Sequence, residues 1–152
     1  MTTEHDALRR AYGDLAHIAE GLDEMASWQP TRCAGWAVRD LVFHLLGDAQ
    51  RALVALASPA AGPADRDAVT YWLDAPEAAV HHLDLVAHLG RRGPAPGPLL
   101  LVRRTLDGLL GCPVPFPWDD ETWALVGTGR RPLTETERLA LGSHADRLPL
   151  LH

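Results

Sequence analysis

Apolar residues recur every three or four positions from Leu8 through Tyr12, Leu15, Ile18 and Leu22 to Met25. This spacing predicts a helix over residues 3–26, with Thr3 and Asp6 at its start. His17 lies off that stripe and is expected to face solvent. Pro30 and Gly35 mark residues 27–36 as a loop. A second helix is expected over 37–57, with Val38, Leu41, Val42, Leu45, Ala49, Leu53 and Leu56 as its buried face. Residues 58–73 are rich in Pro, Gly, Ala and Asp and read as a loop. Asp74 opens the next helix, with Pro76 tolerated in its first turn and Arg91 and Arg92 suiting its C-terminal end near Gly90. Gly93–Pro98 reads as a stiff linker, and a further helix over Leu99–Leu110 stops at Gly111. Three prolines, Pro113, Pro115 and Pro117, then punctuate an extended run. Glu121–Val126 reads as a short strand and Gly127–Gly129 as a turn. Thr134 and Glu137 form a capping box that opens a short helix.

The pattern predicts a mainly α protein. Residues 1–92 form a helical bundle, and residues 93–152 form a helix with an irregular extension packed on it, containing at most one or two short strands. The whole is one compact unit. With 152 residues and 47% hydrophobic content, the chain is long enough to bury a core and too apolar for disorder. The longest apolar runs fall short of the roughly 20 residues that cross a bilayer. The opening Met-Thr-Thr-Glu-His-Asp lacks the basic and apolar regions of a secretory signal. A cytoplasmic location, without membrane attachment, is the expectation. The net charge of −6 comes from acidic residues spread along the chain, which argues against a nucleic-acid partner. All 14 basic residues are Arg, as a GC-rich coding sequence would give. Cys33 and Cys112 do not form a C-x-x-C pair and read as structural bystanders, since a free Cys behaves as a small hydrophobe.

Candidate chemistry sits in Glu77-Ala-Ala-Val-His81-His82-Leu-Asp84. Residues four apart on a helix lie nearly above one another, so Glu77, His81, Asp84 and His88 make one polar stripe. Such a stripe is either a solvated face or a site. His44, Asp48 and Arg51 form a second stripe, at the flank of the preceding helix's apolar face. His44 with Glu77 and His81 makes a three-ligand set of imidazole and carboxylate, which suits zinc and also nickel or iron. Three protein ligands leave one coordination position open, the mark of a catalytic or substrate-binding site. Asp84 is placed to accept a hydrogen bond from a ligand imidazole, and Asp48 is put in the same supporting role. His82 points elsewhere on the helix. Gly127-Thr-Gly129-Arg130 is too short for a phosphate loop and reads as a turn.

The text around these residues is more specific than their spacing. Trp36-Ala-Val38-Arg39-Asp40-Leu-Val-Phe-His44 resembles the W-x-V-R-D-x-x-x-H segment of the mycothiol-dependent maleylpyruvate isomerase family, one of the DinB-like metal-binding helical bundles. Glu77-x-x-x-His81-x-x-Asp84 is similar to that family's later E-x-x-x-H-x-x-D segment. Trp118-Asp-Asp and Leu125-Val-Gly-Thr-Gly-Arg130 look like the C-terminal extension of such actinobacterial proteins. The resemblance implies a zinc-type divalent site of His44, Glu77 and His81, and mycothiol as a thiol cosubstrate. A metal-activated thiolate would then act on a small electrophilic substrate, by isomerisation or thiol transfer. Arg39 and Arg51 are the candidates for holding carboxylates of that substrate or of the cosubstrate. A non-catalytic helical binding or regulatory module with a vestigial site is the alternative.

The chain departs from the family in one respect. Only 32 residues separate His44 from Glu77, too few for the long third helix of the family bundle. Two expectations follow. Two copies pair as a homodimer that completes the bundle, or the Leu99–Leu110 helix fills the vacant place. Exposure of Leu101, Leu106 and Leu109 would count against the second.

Overall fold

The computed structural model describes residues 4–57 and 74–151. Helix α1 spans Glu4–Glu20, α2 Glu24–Ser27, α3 Val38–Ala57, α4 Asp74–Val86, α5 Pro96–Leu110, α6 Asp120–Gly127 and α7 Glu135–Leu141. A 3-10 helix, Gly142–Arg147, follows. The expected third-helix deletion falls on residues 58–73, outside the described residues.

Helix α4 is the hub, packing on α1, α3 and α5. Its apolar residues point two ways. Ala78 and Leu85 meet Ala11 and Leu15 of α1 and Val38, Leu41 and Leu45 of α3. Ala79, Val80 and Leu83 meet Leu99, Val102 and Leu106 of α5 and Trp123 of α6. A helix buried on two sides has little room for a solvated stripe. The line of Glu77, His81 and Asp84 is therefore half-buried to buried, with Asp84 fully covered. Only the last member departs: α4 ends at Val86, and His88 is exposed in the turn beyond it.

Helix α5 packs on both α4 and α1. Leu106 is fully buried, and Leu101 and Leu109 are half-buried, so the exposure that would exclude it from the vacant place does not occur. It begins three residues earlier than expected because prolines at its first turn lack only donors that would be unpaired there. It stops at Gly111, whose φ of 84° is left-handed and favours glycine. Helix α6 crosses it so closely that a Cβ on Gly127 would lie 2.7 Å from Leu106 Cδ1.

Three expectations are corrected. Glu121–Val126 is helical, not a strand. Asp119 caps α6 by accepting from Thr122 N–H at 2.7 Å, and Asp120 and Glu121 favour its N-terminus. Trp123, Ala124, Val126 and Gly127 are buried at helical spacing. The first helix is interrupted: α1 ends at Glu20, Arg91 donates to the carbonyls of Ile18 and Gly21, and Asp23 caps α2 anew. The break shifts the register, which leaves Met25 exposed rather than buried. Leu53, expected in the buried face of α3, is 66% exposed, with Phe43 and Leu46 also open on that helix. The capping box of Thr134 and Glu137 is present at α7, and His17 is exposed, both as expected.

Candidate metal centre

Helices α3 and α4 bring His44, Glu77 and His81 together. Glu77 Oε1 lies 3.6 Å from His44 Nε2 and 3.8 Å from His81 Nε2. The two imidazoles meet edge to face with centroids 5.2 Å apart. One donor atom from each residue lies within 4.8 Å of the others. Bonds of about 2.0–2.1 Å in a tetrahedral zinc site place neighbouring donors roughly 3.4 Å apart, so the set fits a divalent ion with small adjustment.

The two supporting carboxylates are placed differently. Asp84 Oδ2 lies 3.1 Å from His81 Nδ1. A carboxylate only accepts, so Nδ1 carries a proton, and Nε2 is the ring nitrogen turned toward Glu77. Asp48 is also buried, but its Oδ2 lies 3.1 Å from Nε2 of His44, the nitrogen that faces Glu77. Its other oxygen contacts the exposed Arg51 guanidinium. Neither contact has hydrogen-bond alignment.

Asp84 has further partners that sequence reading missed. Arg130 donates through Nε and Nη2 at 3.0–3.1 Å. The Cys33 thiol donates to Oδ2 at 3.3 Å. Cys33 is positioned by a turn in which Thr31 Oγ1 accepts from Cys33 N–H and donates to the Trp36 carbonyl. Arg32 fastens the same loop to α4 by donating to the Leu83 carbonyl at 2.6 Å. Burial pushes the Asp84 carboxyl up, but the hydrogen bonds from His81 and Arg130 outweigh it and hold it below the usual carboxylate range. Burial and the Asp84 charge push the Cys33 thiol up to about 11. Cys33 is therefore a neutral donor at neutral pH rather than the bystander expected. Cys33, His81 and Asp84 also come close enough to suggest an ion, but the Arg130 guanidinium already holds that carboxylate and would repel one.

His82 turns away, as expected. It is buried with Nε2 3.1 Å from the Arg92 carbonyl, and burial pushes its pKa down. On the other side of His44, Trp36 stands edge-on at 5.4 Å. Trp36, Arg39, Phe43, His44 and Arg51 line an open groove of about 770 Å³. Arg39 stacks on Trp28 at 3.9 Å and lies 3.6 Å from Asp40.

The family model for the mycothiol maleylpyruvate isomerase N-terminal domain matches residues 8–139. The chain belongs to this family. Membership links it to a mycothiol-related, metal-binding group of proteins, and its helical architecture agrees with their DinB-like bundle. The match takes in α3, α4 and the Arg130 segment. No curated protein and no solved structure matches the chain. Among the described residues, no helix is long and apolar enough to cross a membrane.

Proposed function

We propose that the protein holds a divalent metal, zinc by its donor set, on His44, Glu77 and His81. With a low-molecular-weight thiol, mycothiol, it acts on a small electrophilic substrate as an isomerase or thiol transferase. The observation that supports this most is the convergence of three donors from two helices beside a groove walled by Arg39 and Arg51. A divalent ion, when bound, lowers the pKa of a thiol attached to it and so supplies a thiolate at neutral pH. The chain's own residues do the rest. Arg39 and Arg51 pair with carboxylates of the substrate or cosubstrate, while Trp36 and Phe43 give the groove apolar walls. Asp84 keeps the proton of His81 on Nδ1. The two unpaired cysteines suit a reducing, cytoplasmic setting.

Metal analysis tests the reading. Purified protein should carry about one zinc per chain, as a single three-ligand site requires, and His44→Ala or His81→Ala should lose it. Failure to take up zinc at micromolar concentration would overturn the reading in favour of a non-catalytic helical module. The same proposal includes a homodimer, because Phe43, Leu46 and Leu53 expose an apolar stripe on α3. Sedimentation at the monomer mass of 16.5 kDa would exclude that pairing.

A further inference from the structure

We infer that Arg130 is a positioning residue of the metal centre: it fixes Asp84, and through Asp84 the ring of His81. The inference rests on the metal reading of His44, Glu77 and His81.

Asp84 is fully buried on α4, the helix that supplies two of the candidate ligands. A carboxylate buried alone would become neutral or would destabilise the fold. Arg130 prevents both by meeting it with two guanidinium nitrogens at 3.0–3.1 Å. The planar fork sets the orientation of the carboxylate as well as its charge. With Oδ1 and Oδ2 so aligned, Oδ2 remains directed at His81 Nδ1 and at the Cys33 thiol.

The fork is itself held. Arg130 Nη1 donates to the Thr128 carbonyl at 3.0 Å, and Arg130 N–H donates to the Leu125 carbonyl at 2.8 Å. Leu150 N–H closes the same turn by donating to the Gly127 carbonyl at 2.8 Å. The turn between α6 and α7 is thereby part of the site, although its sequence carries no candidate ligand. The neighbouring Arg131 faces away and pairs with Glu137.

The test compares Arg130→Gln, Arg130→Lys and Arg131→Gln. In metal-free protein, nitrogen NMR of His81 should report the Nδ1–H tautomer in the wild type and a mixture in both Arg130 variants. Zinc affinity, measured against a chelator, should weaken about 10–100-fold in Arg130→Gln, the usual effect of losing a partner behind a ligand imidazole. The Co²⁺ absorption spectrum should shift in both Arg130 variants, and Arg130→Lys should regain part of the affinity. Arg131→Gln, which loosens the same segment, should change none of these. An unchanged tautomer and affinity in the Arg130 variants, or equal effects from Arg131→Gln, would overturn the inference. If Arg130→Gln does not fold, Arg130→Lys decides by the tautomer and spectrum. If the wild type binds no metal, the metal reading fails while the tautomer measurement still decides the role of Arg130.

Discussion

Two buried carboxylates stand beside two imidazoles, and they are built in opposite ways. Asp84 gathers donors from three separate parts of the chain: His81 on α4, Cys33 in the loop before α3, and Arg130 after α6. It touches the far nitrogen of its histidine and leaves Nε2 turned toward Glu77. Asp48 has close neighbours from its own helix, His44 and Arg51, without hydrogen-bond alignment. It touches the near nitrogen of its histidine, on the side that faces Glu77. One carboxylate steadies its imidazole from behind, and the other competes for the atom a metal would use. Two aspartates, both buried and each within one helical turn of a histidine, thus differ in what they can do.

Stability should separate them most. Asp84→Ala leaves Arg130 without its partner and should cost about 3–5 kcal/mol by urea unfolding. Asp48→Ala should cost no more than about 1 kcal/mol, because Arg51 is largely in solvent. Equal losses would break the comparison. Metal affinity comes next. Asp84→Asn should weaken zinc about 10–100-fold by chelator competition, whereas Asp48→Asn should leave it nearly unchanged or slightly tighter.

Acid unfolding sharpens the picture further. Arg131 holds Glu137 at about 2, below its ordinary 4.5. A depressed carboxyl contributes stability that is full above pH 4.5 and is lost as pH falls toward about 2. Asp84, also depressed, acts in the same direction. The melting temperature should drop across that window, and Arg131→Gln should flatten the drop. The smallest effect concerns Cys33. With a pKa of about 11, it is roughly one part in a thousand thiolate at pH 8. Alkylation of the native protein should be slow at Cys33, faster in Asp84→Asn, and unmoved in Asp48→Asn.

The features legible in the sequence are those that local chemistry determines. The capping box at Thr134, the left-handed stop at Gly111 and the apolar face of α3 around Leu41 and Leu45 each depend on neighbours a few residues away. That Glu77 and His81 face one way follows from their four-residue spacing. That His44 joins them was suggested by its donor type and its place at the edge of the core, and strengthened by the resemblance of its surrounding text. The errors have physical causes too. Trp123 and Val126 have strand propensity, yet the Asp119 cap and burial at helical spacing prevail. Met25 continued a periodicity that Gly21 and the Asp23 cap interrupt. Cys33 and Arg130 reach Asp84 across 51 and 46 residues, and no local pattern encodes such a meeting.

That last separation also bears on how the protein is made. A chain leaves the ribosome N-terminus first, and segments begin to pack as they emerge. All three candidate ligands and Asp84 emerge within the first 84 residues, but Arg130 is still unmade. Until it arrives, Asp84 lacks the guanidinium that offsets its charge in the folded protein. Closure of the Asp84 cluster thus waits for a late residue, and a ribosome-stalled chain too short to bring Arg130 out of the exit tunnel should protect α4 from proteases less than one long enough to expose it.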